Sequence, residues 1–176
     1  MQIVEAVEAI LFAADTPASL QALSHAVGGT EGQVAQALEV LQKRLDSSGA
    51  LQVVMIAGGY QLCTKPEHAE MVANFLKPQR QRLSRSLMEV LAVVAYKQPI
   101  TIAEIDDIRG VGSDYGVRSL LERRLITEVG RKRAPGRPTL FGTTQQFLHQ
   151  FKLRELADLP ELGIGVDFGE QLPLID

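Results

Sequence analysis

The chain has 176 residues, enough for one medium domain or two small ones. Apolar residues make up 45% and aromatic residues 5%, with no tryptophan, so we expect an aliphatic core. The net charge of −3 excludes a general attraction to nucleic acid, and the single cysteine excludes an intrachain disulfide. No run reaches the ~18 apolar residues of a membrane helix, and no basic segment precedes the first apolar run. We therefore expect a cytoplasmic protein with no signal peptide and no membrane contact.

Charge is distributed unevenly along the chain. Residues 1–78 hold 4 Lys or Arg and 8 Asp or Glu, a net charge of −4. Residues 79–155 hold 14 and 8, a net of +6, whereas residues 156–176 hold 0 and 5, a net of −5. This segregation matters more than the total charge for the choice of partners.

The first half of the sequence predicts three helices in succession. Apolar residues recur at helical spacing in the first of them, at Ile3, Val7, Ile10 and Ala14. Pro17 ends this helix and opens a second one, which stops at Gly28. Thr30 caps a third helix that continues to about Asp46. Most of the inner face of the third helix is expected to come from four residues, Leu38, Val40, Leu41 and Leu45.

A β-hairpin and a fourth helix are predicted next. Two β-prone runs surround Ala57-Gly58-Gly59, which is a strong hairpin signal. Pro66 then opens a short helix. The apolar stripe of that helix consists of Met71, Val72, Phe75 and Leu76.

After a polar stretch at residues 77–82, KPQRQR, which we interpret as a linker, the order of elements repeats. The second copy begins with a helix capped by Ser84 or Ser86, and Ser113 or Asp114 caps its third helix. A hairpin with a long turn and a closing helix follow. A shift of 82 residues aligns the two copies: Pro17 with Pro99, Leu20 with Ile102, Leu23 with Ile105, Gly28 with Gly110 and Leu38 with Leu120.

Three helices followed by a hairpin is the plan of the winged helix, a helix-turn-helix with a hairpin wing. The sequence therefore predicts a mainly α protein with small β-hairpins, made of two tandem winged-helix domains. The expected domains are residues 1–78 and residues 79–158. Residues 159–176 form an acidic tail with too many glycines for a helix.

No catalytic or metal-binding group is predicted. Asp106 and Asp107 are adjacent on a helix and point to different faces. Cys63 has no histidine near it in the chain and is predicted to be a small core residue. Three histidines lie far apart without metal-ligand spacing: His25, His68 and His149. We therefore expect no enzyme activity, no cofactor and no metal.

The basic stretch EVGRKRAPGRPTLFGTT raises the question of DNA binding. In a DNA-binding winged helix, the third helix enters the major groove and the wing reaches the backbone. Asp114 heads the third helix of the second copy, and no Asn or Gln is available there to read adenine. We expect at most weak, non-specific phosphate contact, and a dimeric transcription regulator is the alternative. The candidates for phosphate contact are Arg131, Lys132, Arg133 and Arg137.

The same stretch also has an architectural interpretation. Gly136 and Pro138 suit a tight turn between the two strands. Phe141 anchors the returning strand, and Thr143 or Thr144 caps the closing helix.

Two helices carry more apolar residues than one buried face needs. In the first helix, Val4 and Phe12 lie off the core stripe, Phe12 nearly opposite to it. A helix that is apolar on all sides is buried on more than one side. Phe12 is therefore covered either by its own domain or by a second chain. The first helix of the second copy poses the same question with Leu87, Met88, Val90, Leu91, Val93, Val94 and Tyr96.

Several motifs resemble one protein family. LAVVAYKQPIT, IDDIRGV, LLERRLI, GRPTLFGTT and LADLP occur in this order between Leu83 and Pro160. Together with EAILFAADTP and IAGGYQL in the first half, they resemble segregation and condensation protein B (ScpB), the paired winged-helix subunits of the bacterial SMC–kleisin condensin. The chain departs from the family at Arg124, where Gly is frequent, and we expect a helix end to tolerate either residue.

The resemblance implies a non-enzymatic accessory subunit in chromosome condensation and segregation, located at the nucleoid. It implies a homodimer formed through the N-terminal domain, with Val4 and Phe12 as interface candidates. It also implies that the C-terminal domain binds the kleisin subunit ScpA, and through it the SMC protein, which carries the ATPase. The candidates for kleisin binding are Leu87, Leu91 and Tyr96.

Overall fold

The computed structural model describes residues 3–76 and 83–161. The chain divides into two compact units, unit 1 (Met1–Gln79) and unit 2 (Arg80–Asp176). As expected, the described residues are mainly helical, with two small antiparallel sheets of two strands each. The linker predicted at residues 77–82 and the tail beyond residue 161 lie outside the described residues.

The described residues of unit 1, 3–76, form four α-helices and one β-hairpin. The elements are α1 (Ile3–Ala13), α2 (Leu20–Val27), α3 (Glu31–Ser47), β1 (Leu51–Ile56), β2 (Gly59–Thr64), a single 3₁₀ turn (Pro66–His68) and α4 (Ala69–Leu76).

The ends of α2 and α3 follow local sequence signals. Gly28 ends α2 with a φ of 68°, a left-handed conformation that glycine adopts without cost. Thr30 caps α3 as predicted and forms a capping box with Gln33, whose side-chain oxygen accepts a hydrogen bond from the Thr30 backbone N–H. These exchanges satisfy backbone N–H groups that the first turn of a helix leaves unpaired.

The start of α2 differs from the prediction. Pro17 does not open this helix, because Ala18 exchanges two backbone hydrogen bonds with Tyr60 of β2, at 2.8 and 2.9 Å. The chain therefore stays extended beside the hairpin, and Ser19 caps α2 through the backbone N–H of Ala22 at 3.1 Å. Leu20 is the first helical residue.

The core of unit 1 is formed by α1, α2, α3 and β1. The predicted inner face of α3 is wrong at Val40, which is exposed, because it lies about 200° around the helix from Leu38. In α1, Leu11 is buried, although the predicted stripe omitted it. The buried residues of this core are Val7, Leu11, Leu23, Val34, Ala37, Leu38, Leu41 and Val53.

Unit 2 repeats the order of three helices and a hairpin. Its elements are α5 (Arg85–Lys97), α6 (Ile102–Arg109), α7 (Asp114–Glu122), β3 (Ile126–Arg131), β4 (Thr139–Thr143), α8 (Gln145–Gln150) and a 3₁₀ turn (Leu156–Asp158). Where the sequence left two capping residues open, Ser84 caps α5 and Thr144 caps α8. Ser113 precedes α7 but makes no side-chain cap.

A polar contact fixes β4 against the end of α5. The Gln98 side chain accepts a hydrogen bond from the Thr143 backbone N–H at 2.7 Å and donates one to the Thr143 hydroxyl at 2.9 Å. A Cβ at Gly142 would come within 2.7 Å of the Gln98 side-chain oxygen, so a larger residue would displace the Gln98 amide from Thr143. The motifs KQPIT and FGTT therefore meet at one structural joint.

Arg124 adopts a left-handed conformation, with a φ of 57°. Such a conformation costs an ordinary residue roughly 1–2 kcal/mol. Glycine avoids this cost, but it lowers stability by ~0.4–1 kcal/mol because it makes the unfolded chain more flexible. The Gly that is frequent here in the resembling family thus has a backbone reason. We predict that Arg124→Gly raises the free energy of unfolding by up to about 1 kcal/mol. Urea denaturation measures it, with Arg124→Ala as the control that removes the charge and keeps the strain. Equal stability of the two variants would contradict the prediction.

Candidate interaction surfaces

The described residues form no site with obvious chemistry. Within residues 3–76 and 83–161, no three His, Cys, Asp or Glu side chains are placed to hold a metal ion. Over the same residues, no helix is both long and apolar enough to cross a membrane. Cys63 is half-buried in β2. The candidate sites are therefore surfaces.

Unit 1 exposes large apolar side chains on α1 and α4. Phe12 is 79% exposed, so neither the hairpin nor α4 covers it. The predicted apolar stripe of α4 lies largely on the surface, because Phe75 is 85% exposed and α4 contains no buried residue. We call this set the exposed apolar residues of α1 and α4: Phe12, Met71, Phe75 and Leu76. Large apolar exposure of this kind marks interaction sites.

The two predicted dimer-interface residues have different environments. Val4 is half-buried and packs against the core of unit 1. Phe12, by contrast, lies largely on the surface. Burial of a Phe side chain stabilises a protein or complex by about 1.5–3 kcal/mol relative to exposure. Of the pair, Phe12 is the residue with apolar area to offer a second chain.

Two of the three kleisin-binding candidates lie inside unit 2. Leu87 is 8% exposed and Leu91 is fully buried, which removes both from any docking surface. The physical reason is that α5 packs against α6, α7 and β4, so its apolar excess is absorbed by three neighbours. Tyr96 is half-buried and donates a hydrogen bond from its hydroxyl to the Pro160 carbonyl at 2.8 Å. Burial raises the pKa of Tyr96.

Sequence reasoning missed an apolar patch at the turn between α6 and α7. Ile108 and Val111 are more than half exposed, and Tyr115 is 81% exposed. We call these three residues the α6–α7 patch. Its signal in the sequence was the occurrence of three large apolar residues within eight positions, whereas Ile105 is the one fully buried residue of α6.

Arg109 holds the same turn from inside. Its side chain is only 7% exposed and forms an ion pair with Glu89 at 3.0 Å. It also donates hydrogen bonds to the hydroxyls of Ser113 at 2.9 Å and Ser86 at 3.0 Å. This cation links α5, α6 and the start of α7, so it supports the fold and is not available to a nucleic acid.

The four cations proposed to contact phosphate lie on one hairpin, which we call the basic hairpin (β3, β4 and the turn between them). All four are exposed. Lys132 already has a partner within unit 2, because its ammonium forms an ion pair with Glu104 of α6 at 2.5 Å. Arg131 donates a hydrogen bond to the Arg137 carbonyl at 3.4 Å within the turn. The guanidinium groups of Arg131, Arg133 and Arg137 remain as the charged surface.

Glu104 is strongly influenced by this contact. The Lys132 ammonium, followed by the Thr101 hydroxyl and backbone N–H, lowers the pKa of Glu104 from 4.5 to about 2. Because the folded pKa is depressed, the stabilisation is fully present above pH 4.5 and is lost as the pH falls towards 2. The pair is exposed, so its contribution to folding is small.

We predict that Lys132→Met raises the pKa of Glu104 towards 4.5, although the Thr101 contacts keep it somewhat lower. An NMR titration of side-chain carboxyl carbons measures this pKa directly. Arg133→Met is the matched control, since it removes a cation from the same turn and leaves Lys132 in place. Equal pKa values of Glu104 in the two variants would show that general charge, not the ion pair, sets the shift.

Known proteins of one family are similar to this chain over most of its length. Residues 5–162 match the family model described as segregation and condensation complex subunit ScpB. Segregation and condensation protein B of Symbiobacterium thermophilum is 45% identical over 158 residues, which cover 89% of this chain and 72% of that protein. The protein of the same name from Syntrophotalea carbinolica is 46% identical over 157 residues, covering 89% and 80%.

Among solved structures, ScpB from Mycobacterium tuberculosis is 35% identical, with a TM-score of 0.41 over 83% of this chain and 92% of that one. The family match extends through both units, from α1 to the residue after the last described one. This chain belongs to the family of segregation and condensation complex subunit ScpB.

Proposed function

We propose that this chain is a non-enzymatic accessory subunit of the SMC–ScpA–ScpB complex and acts in chromosome condensation and segregation. The observation that carries the proposal is the family match across residues 5–162. The surfaces support it, because the described residues offer exposed apolar side chains in both units. The protein acts in the cytoplasm at the nucleoid.

Both units are winged helices. In unit 2, α7 packs against α5 and β3 follows it directly, as the third helix and wing of such a domain do. Unit 1 has the same order, with β1 following α3. Residues 1–78 and 79–158 are the two domains, and α4 and α8 are additions after the hairpins.

The N-terminal domain forms the homodimer, and the C-terminal domain binds ScpA, which links the chain to the SMC protein. Phe12 and the exposed apolar residues of α4 supply the dimer contact. For ScpA, the α6–α7 patch replaces the buried Leu87 and Leu91, and Tyr96 is retained. Each assignment places apolar area where a partner removes it from water.

A transcription regulator is less well supported. Asp114 and Tyr115 head α7, the position from which a recognition helix contacts bases. Both side chains are exposed there, one acidic and one aromatic, and neither is a cation that would approach phosphate. DNA contact is therefore at most weak and non-specific.

Co-purification with the candidate ScpA, followed by measurement of the complex mass, tests the proposal. We expect a complex that contains ScpA and two copies of this chain. Tyr115→Asp should release ScpA and leave the dimer intact, because residue 115 lies on the surface and not in the core. Val40→Asp, at an exposed apolar residue of α3, is the matched control. Failure of the wild-type chain to retain ScpA would overturn the proposal.

A further inference from the structure

Strand β3 has an open edge. It pairs with β4 on one side, while β4 is also bridged on its other side by Ile100 at Phe141. Within the described part of the chain, no strand lies against the outer side of β3. Residues 127–131 are all exposed, including Val129 at 53%. An exposed strand edge of this kind presents unpaired backbone groups and accepts a further strand.

The open edge combines an apolar and a basic portion. Val129 lies close to the joint between Gln98 and Gly142, since a Cβ at Gly142 would come within 3.0 Å of its side chain. Towards the turn, Arg131, Arg133 and Arg137 have no carboxylate partner within residues 83–161. A strand that suits this edge therefore carries apolar residues first and acidic residues at its far end.

The chain itself contains a segment of this composition. Residues 161–176, ELGIGVDFGEQLPLID, contain no Lys or Arg. Apolar residues alternate with glycine and aspartate at a period of two, which is typical of a strand, at Leu162, Ile164, Val166 and Phe168. Glycine at the intervening positions allows a close approach to another backbone. The acidic residues are Glu161, Asp167, Glu170 and Asp176.

The starting point of this segment is favourable. Pro160 is held by the Tyr96 hydroxyl near the end of α5. The same end of α5 holds the base of the basic hairpin through Gln98 and Thr143, and Thr143 pairs with Ile126, the first residue of β3. The 15 residues beyond residue 161 span up to ~50 Å when extended, whereas the six residues of β3 measure roughly 20 Å. A segment that runs from base to turn is parallel to β3 and brings Asp167 to the level of Arg131.

We propose that residues 162–168 of this chain bind as a third strand to the open edge of its own β3, with Asp167 and Glu170 beside the arginines of the basic hairpin. The apolar residues of the segment cover Val129, and its two carboxylates offset part of the charge of the three guanidinium groups that no described carboxylate reaches. The segment closes an edge that would otherwise pair with other chains. It also competes with phosphate for the basic hairpin.

Amide hydrogen exchange on the full chain tests this proposal. In the wild type, we expect protected amides among the residues of β3 that do not bond to β4. In the double variant Ile164→Asp/Val166→Asp, and in a chain that ends at Glu161, these amides should exchange at least about tenfold faster. The β4 amides that bond to β3 should be unchanged. Leu174→Asp is the matched control, because it adds the same charge to the tail outside the proposed strand.

Two outcomes would overturn the proposal. Equal exchange of the β3 amides in wild type and both tail variants would show that the segment does not occupy the edge. Protection that depends on protein concentration would assign the strand to a second copy instead. A normal circular dichroism spectrum of the variants verifies that the fold is retained, and loss of protection at high salt is expected because the charge pairing is screened.

Discussion

We expect Phe12→Asp to separate the proposed homodimer into folded monomers. Phe12 is 79% exposed in unit 1, so its replacement removes no core contact and the free energy of unfolding of the monomer should stay nearly unchanged. In a two-fold dimer the residue occurs twice. Loss of about 1.5–3 kcal/mol per buried Phe raises the dimer dissociation constant by roughly two to four orders of magnitude.

Light scattering of the full chain over a concentration series measures the dissociation constant, and urea denaturation at low concentration checks the fold. Ile108→Asp is the matched control, because it places the same charge on an exposed apolar residue of unit 2. Dimerisation of Phe12→Asp at the wild-type concentration would remove Phe12 from the interface. In that case the exposed residues of α4, with Phe75 foremost, are the next candidates.

Local signals in the sequence account for several helix ends, including the predicted cap of α3 at Thr30. Thr30 with Gln33, and Thr101 with Glu104, form capping boxes within four residues of chain, so the information needed to place α3 and α6 is contiguous. Glycine at position 28 likewise marks the end of α2. The hairpin signal at Ala57-Gly58-Gly59 is equally local. In the structure, Ala57 and Gly58 form the turn, and both have positive φ.

Features that depend on distant parts of the chain were not predictable. The extended backbone at Ala18 depends on Tyr60, and the burial of Leu91 depends on how many elements surround α5. Helical periodicity reports how many faces are apolar, but it does not report whether a partner helix or a partner protein covers each face. The ion pair between Lys132 and Glu104 joins residues 28 positions apart, so it was not predictable from the sequence. Because of this pair, the basic hairpin offers one cation fewer than its four basic residues indicated.

Duplex DNA should bind this chain weakly and without sequence preference. Base recognition needs bidentate donors held on a rigid element in a groove, whereas Arg131, Arg133 and Arg137 surround an exposed turn. Because Lys132 is paired with Glu104, the basic hairpin offers at most three cations to phosphate. The log–log dependence of affinity on salt should therefore have a slope no steeper than about −2.7 per chain, which is a loss of roughly 40-fold between ~50 and ~200 mM salt.

Fluorescence anisotropy with several unrelated duplexes, over a range of salt concentrations, measures this slope. The triple variant Arg131→Glu/Arg133→Glu/Arg137→Glu should abolish the salt-dependent binding, whereas Arg118→Glu on α7 should leave most of it. A larger loss in Arg118→Glu, together with tight and salt-tolerant binding to one duplex, would indicate a recognition helix and favour the transcription regulator. Because the acidic segment is proposed to occupy the same arginines, the chain that ends at Glu161 should bind every duplex more tightly than the full chain does.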